Sequence, residues 1–194
     1  MPQYFVFYKP FNVLSQFSPE GEKKTLADFF KGISKNIYPV GRLDYDSEGL
    51  LLLTDDKDLN HQLLDPKFAH QRTYWVQVDG DINEEAIRKL QAGVEIKLNG
   101  KIYKTKKALA EKIEVPQNIP ERNPPVRFRK NIPTSWIALT LIEGKNRQVR
   151  HMTAAVGFPT LRLIRYSIGK LTIEGITPGA YQEFGPDIKA LLLY

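Results

Sequence analysis

The chain of 194 residues has no cysteine, which excludes disulfides, thiolate nucleophiles and cysteine-held zinc in one step. Histidine is scarce too. His61, His70 and His151 are the only three, and none pair at a spacing that sets two imidazoles on one metal. No apolar run approaches the roughly 20 residues that span a bilayer. The opening Met1-Pro2-Gln3-Tyr4-Phe5-Val6-Phe7-Tyr8-Lys9 lacks the basic leader and long apolar stretch of a signal peptide. A cytoplasmic protein without membrane attachment or metal is expected. No long apolar helix stripe is left unassigned, so a monomer is expected as well.

What is present is ordinary in amount and uneven in placement. Hydrophobic residues make up 42% and charged residues 26%, values that support a packed core and argue against wholesale disorder. The formal charge is +6, which fits a polyanionic partner without establishing one. Arg122, Arg127, Arg129, Lys130, Lys145, Arg147, Arg150, Arg162, Arg165 and Lys170 crowd the C-terminal half, where acids are sparse.

Pattern and punctuation give a coarse map. Tyr4 to Tyr8 reads as a strand, Thr25 to Phe30 as a short helix, and Leu50 to Thr54 as a strand. Asp56 to Leu64 reads as a helix and Arg72 to Val78 as a strand. Asn83 caps a helix that points Ile82, Ala86, Ile87 and Leu90 inward and ends at Gly93. Val94 to Leu98 and Lys107 to Glu114 are expected to be strands joined through Asn99-Gly100. Pro116 to Pro133 holds five prolines and reads as a long irregular segment. Ser135 to Ile142 is a strand, Asn146 to Val156 a helix, Leu161 to Tyr166 and Leu171 to Glu174 strands, and Asp187 opens a short terminal helix. Strands outnumber helices, so an α+β fold with a mixed, mostly antiparallel sheet is expected.

Two segments stand out chemically. Gly41-Arg42-Leu43-Asp44-Tyr45-Asp46-Ser47-Glu48-Gly49 places three carboxylates and an arginine directly before four leucines. Desolvating unpaired carboxylates costs several kcal/mol, so a reactive acid on a rigid edge is one reading and an ordinary strand-entry turn the other. Glu143-Gly144-Lys145-Asn146-Arg147-Gln148-Val149-Arg150-His151 joins a strand to a helix start, where free N–H groups and three cations attract anions. Spacing puts Arg147 and Arg150 on one helical face. A solvated cationic face fits that spacing equally well. Tyr74 and Trp75 are neighbours on a strand and point to opposite sides, one to the core and one to open space. Arg122 to Lys130 mixes prolines with cations, as a connector or a phosphate-binding arm.

Taken together, Phe7-Tyr8-Lys9-Pro10, the Gly41 to Thr54 segment, Arg72-Thr73-Tyr74-Trp75-Val76 and Glu143 to Arg150 resemble, in order, the motifs of the small-subunit-A type of pseudouridine synthases. Arg122-Asn123-Pro124-Pro125 and the stretch from Ile132 to Tyr166 resemble its large-subunit branch. The resemblance implies a pseudouridine-synthase catalytic fold over residues 1–194, two lobes sharing one sheet around an RNA-binding cleft. It also implies that the N-terminal S4 domain of many relatives is missing. It implies conversion of uridine to pseudouridine in large-subunit (23S) ribosomal RNA, free or in an assembling particle, with no cofactor. By the same resemblance Asp44 is the catalytic carboxylate, Tyr74 stacks on the flipped uracil, and Arg150 pairs with Asp44. Arg42, Lys145, Arg147, Arg127, Arg129 and Arg165 are expected to bind RNA. His151 departs from the arginine common in relatives.

Two rival classes stand beside this one. A catalytically idle RNA-binding or assembly module shares the basic composition. A glycosidase would use Asp44 and Asp46, which on extended backbone stand roughly 6–7 Å apart, but the basic C-terminal half argues against a neutral sugar.

Overall fold

A computed structural model describes residues 1–126 and 132–193. In chain order the elements are β1 (Tyr4–Lys9), β2 (Tyr38–Pro39), β3 (Glu48–Thr54), α1 (Lys57–Leu64), β4 (Arg72–Asp79), α2 (Glu84–Ala92), β5 (Glu95–Leu98) and β6 (Lys101–Lys104). There follow β7 (Leu109–Ile113), β8 (Thr134–Leu141), α3 (Gln148–Ala155), β9 (Thr160–Ile168), β10 (Leu171–Thr172), β11 (Tyr181–Phe184) and α4 (Ile188–Leu192). The chain divides into two compact units. One comprises Met1–His70 with Ile164–Tyr194, the other Gln71–Leu163. The strand order of the main sheet is β11-β1-β3-β9-β4-β8-β7. Among the described residues no helix is long and apolar enough to cross a membrane.

The first unit is built on β3, buried at every position as its four leucines require. It pairs antiparallel with β1, Tyr8 opposite Leu50 and Lys9 opposite Gly49, and β1 pairs with β11 on its other edge. Phe5, Phe7, Leu51 and Leu53 form one face of this sheet and pack on Leu26, Phe30, Ile37 and Leu43. The start of β3 runs parallel to β9, Glu48 opposite Ile164 and Gly49 opposite Arg165. There the backbones approach so closely that a Cβ on Gly49 would lie 2.4 Å from the Arg165 carbonyl oxygen, at a φ of +105°. Only glycine fits such a position. The helix expected over Thr25 to Phe30 is a single 3-10 turn at Leu26–Asp28, closed by a capping box between Thr25 and Asp28. Six residues are too few to sustain an α-helix.

Asp56 shows how a cap can also be a tie. Its carboxylate accepts from the Leu59 N–H at 3.0 Å, from the Tyr4 hydroxyl at 2.7 Å and from Lys189 Nζ at 2.6 Å. One side chain thus starts α1, clamps β1 and holds α4. Burial pushes this carboxyl up, but those three donors outweigh it and draw its pKa down to about 2.

In the second unit β4 and β8 pair antiparallel from Arg72–Leu141 to Asp79–Thr134, with β7 on the far edge of β8. Asn83 caps α2 through its side chain, and Ala86, Ile87 and Leu90 are buried as expected. One expectation is corrected. The Asn99-Gly100 turn does not lead to a strand at Lys107 to Glu114; it returns the chain at once into β6, which pairs with β5. Asn99 and Gly100 both have positive φ, 48° and 81°, and a two-residue turn of that kind leaves no room for a longer connection. β7 is a separate strand of the main sheet. The parallel β3–β9 contact beside the antiparallel pairs of β1 with β3 and β11, β4 with β8, and β7 with β8 makes the architecture mixed and mostly antiparallel α+β, as expected.

Candidate active site

In the first unit Asp44 lies half-buried on the loop that joins β2 to β3. Three sets of bonds shape that loop. Ser15 Oγ donates to the Leu43 carbonyl at 2.8 Å and accepts from the Leu43 N–H at 3.1 Å. The Asn12 N–H donates to the Tyr45 carbonyl at 2.9 Å, and the Ser47 N–H to the Asp44 carbonyl at 3.1 Å. Leu43 itself is buried in the aromatic core. The segment carrying Asp44 is therefore anchored on both sides, which restricts the direction of its side chain.

Lys9, at the end of β1, is 0% exposed. Its ammonium donates to the carbonyls of Pro10 at 2.9 Å and Val13 at 2.7 Å. Burial pushes its pKa down to about 7, against the opposing pull of Glu48, Asp46 and Asp44, while Arg165 adds to the lowering. One buried amine thus sits in the field of all three carboxylates of the loop. Residue reasoning missed it as part of the site. The signal was the charge imbalance of Asp44, Asp46 and Glu48, which demands a cation from elsewhere in the chain.

Two expected RNA contacts of this unit are placed differently. Arg42 is exposed, and its guanidinium donates to Gln16 Oε1 at 3.1 Å. Arg165, expected at RNA phosphates, is only 4% exposed. Its Nε donates to the Leu50 carbonyl at 2.7 Å. That bond braces the entry of β3 beside the close β3–β9 approach.

In the second unit Tyr74 is half-buried on β4 and packs at the margin of the core that includes Val76, Val78, Ile137 and Leu139. It occupies the core-facing side of the strand, and Trp75 the other, by the alternation of a strand. The basic segment is built around Glu143. Its carboxylate accepts from the Tyr103 hydroxyl at 2.5 Å, the Lys106 N–H at 2.8 Å and Gln148 Nε2 at 2.6 Å. Burial pushes the Glu143 carboxyl up, but these donors together hold it below the ordinary range. The same contact, followed by burial, drives the Tyr103 hydroxyl up to about 12. Gln148 Oε1 also accepts from the Lys145 N–H at 2.9 Å, so the turn Lys145-Asn146-Arg147 is fastened at its base.

That turn alters one reading. α3 begins at Gln148, and Arg147 is its cap, held at a φ of 50° in the left-handed region. Arg147 is therefore off the helix and does not share a helical face with Arg150. Lys145 and Arg147 are exposed, Arg150 half-buried on the first turn of α3. Hence one unit groups Asp44 with Lys9, Asp46, Glu48 and Arg165, and the other groups Lys145, Arg147 and Arg150 about the start of α3. Arg127 and Arg129 lie outside the described residues. No cluster of three or more histidine or carboxylate side chains suited to a metal occurs among the described residues.

Comparison with known proteins agrees with these elements. The profile of the family described as RNA pseudouridylate synthase matches residues 3–155. A curated relative named ribosomal large subunit pseudouridine synthase E, from Vibrio parahaemolyticus, is 53% identical over 178 residues, 92% of this chain and 72% of that protein. Another of that name, from Xanthomonas campestris, is 46% identical over 90% of this chain and 91% of its own length. Ribosomal large subunit pseudouridine synthase B of Bacillus subtilis is 36% identical over 98% of this chain and 71% of that protein. A crystal structure of a pseudouridylate synthase superposes with a TM-score of 0.81 at 26% identity, covering 99% of this chain and 74% of that one. The chain belongs to the RNA pseudouridylate synthase family.

Proposed function

We propose that this enzyme converts a uridine of large-subunit ribosomal RNA to pseudouridine, with Asp44 as the catalytic carboxylate. The observation that carries the reading is the anchored loop, which holds the half-buried Asp44 within the field of a buried cation in a chain whose relatives are named for this reaction. In the reaction the N1–C1′ bond breaks, the uracil turns, and C5 joins C1′; the C5 proton passes to solvent and N1, keeping the electron pair of the broken bond, takes up a proton in its place. An aspartate suits it as a group able to add and to leave again. The target nucleotide must first leave its stack, at a cost of a few kcal/mol.

Tyr74, half-exposed on a rigid strand, is suited to stack on the flipped uracil, and Arg150 to pair with Asp44 and orient it. Arg42, Lys145 and Arg147, all exposed, are suited to phosphates of the same RNA. We assign residues 1–194 to one catalytic domain and the enzyme to the cytoplasm, acting as a monomer on free ribosomal RNA or an assembling particle. Asp44→Asn tests the reading. The variant should fold and bind RNA with near-normal affinity yet release no tritium from RNA labelled at uridine C5. Tritium release at the normal rate would remove Asp44 from the chemistry, whereas binding with no turnover by the unaltered enzyme would favour an idle RNA-binding module.

A further inference from the structure

The β5–β6 hairpin of the second unit carries a charge pattern that the catalytic assignment leaves unused. From Lys97 to Lys107 the chain has five lysines and no acidic residue. Lys97, Lys101, Lys104, Lys106 and Lys107 are all exposed. Ion pairs elsewhere among the described residues engage Lys23, Lys67, Lys89, Lys112 and Lys189, and none engages these five. Like charges this dense repel one another, so folding gains nothing from them; a polyanion does.

The hairpin is two-sided. Ile96 pairs with Tyr103 and Leu98 with Lys101, and Ile96, Leu98 and Tyr103 pack into the core of the unit. Strand alternation sends Glu95, Lys97, Ile102 and Lys104 to the opposite, outer side, where Glu95 lies opposite Lys104 and Ile102 is 76% exposed. The root of the hairpin is fastened to the basic turn before α3. Tyr103 and the Lys106 N–H both bond Glu143, Lys145 Nζ lies 5.1 Å from the centre of the Tyr103 ring, and β5 lies against α3. The lysine side of the hairpin and the Lys145-Asn146-Arg147 turn therefore belong to one body.

We propose that the exposed lysines of the β5–β6 hairpin, Lys97 and Lys104 on its outer side and Lys101 beside its turn, form a second RNA-docking surface, gripping the phosphate backbone of the strand that flanks the target uridine. The proposal rests on the ribosomal RNA reading given above and extends it. Lysines on an exposed ribbon act as point charges, which hold a backbone in place without reading its bases. Such a grip adds affinity through counterion release and leaves its mark in salt dependence.

The test compares two variants of the full chain with equal charge loss, K97Q/K101Q/K104Q on the hairpin and K31Q/K35Q/K57Q on exposed lysines of the first unit. Each is titrated with in vitro transcribed large-subunit ribosomal RNA between about 50 and about 200 mM salt. The hairpin variant should bind about tenfold more weakly near 150 mM, with a slope of log K against log salt shallower by about two. The first-unit variant should stay within about twofold of the unaltered protein. K97R/K101R/K104R should restore both affinity and slope, which separates charge from misfolding. Equal weakening in both glutamine variants, or an unchanged slope in the hairpin variant, overturns the proposal. So does unchanged RNA binding with loss of binding to phosphatidylglycerol vesicles, which would give the surface to a membrane. Affinities are read without turnover, so a failure of the catalytic reading would show separately, as absence of pseudouridine in the RNA bound by the unaltered enzyme.

Discussion

In the first unit the ionic groups around the Asp44 loop are sealed, with Lys9, Glu48 and Arg165 at 0%, 3% and 4% exposure. In the second unit Lys145, Arg147 and the hairpin lysines stand in solvent. Buried ions tolerate little displacement, because losing a partner leaves a desolvated charge. They specify one geometry for the loop that presents Asp44. Exposed cations act through attraction and counterion release, which tolerate movement and adapt to a polymer. The difference separates a place built for position from a surface built for attraction. Substitutions in the first should therefore be read as stability and geometry, and in the second as RNA affinity and its salt dependence.

The largest effect is expected at Gly49. Gly49→Ala puts a Cβ 2.4 Å from the Arg165 carbonyl oxygen at a positive φ, and neither backbone can withdraw without breaking the β3–β9 pairing. A loss of about 3 kcal/mol or more in urea unfolding is expected. Near-normal stability would show that the sealed frame around Asp44 is not rigid.

Next comes Asp56→Asn, expected to cost roughly 2 kcal/mol at pH 7. The folded carboxyl, with its pKa down at about 2, lies below its unfolded value. The advantage is therefore fully present above about pH 4 and is lost as pH falls toward about 2. Chemical unfolding of both proteins from pH 7 downward should show the gap closing over that interval. A gap that stays constant with pH would mean that packing of the cap, and not its charge, ties α1 to β1 and α4.

The smallest change in stability is expected at Lys145→Gln. Among the described residues the contact of its ammonium is the face of the Tyr103 ring, so less than about 1 kcal/mol should be lost. Its RNA affinity should nonetheless fall several-fold, with a salt slope shallower by about 0.7–0.9. A large loss of stability with unchanged salt dependence would break the contrast between the two units.

Part of this was legible without coordinates. The four leucines announced β3, and Asn83 with Ile82, Ala86, Ile87 and Leu90 announced α2, because caps and periodicity are local properties. β11 was missed. Its residues are mostly exposed and carry no apolar alternation; the strand exists because the open edge of β1 offers a ladder of hydrogen bonds. β6 was missed because four residues with two lysines and an isoleucine at exposed positions look like a loop until the register of β5 is known. Asp44 stood out in the sequence as an acid on the lip of a buried strand. Lys9 stood out only as a letter of the first motif; its burial did not, since a lysine ending a strand is ordinarily solvated.

The sequence alone determined where local rules act: the leucine strand, the helix caps, the tight Asn99-Gly100 turn, and the ordered motifs that marked the family. Only the tertiary structure decided which of many identical cations are buried and which are free to meet a ligand. Lys9 and Lys145, or Arg165 and Arg42, carry the same chemistry as letters. Their environments diverge because desolvation is set by segments remote in the chain, as where Gly49 lets β3 pack closely against β9 at Arg165.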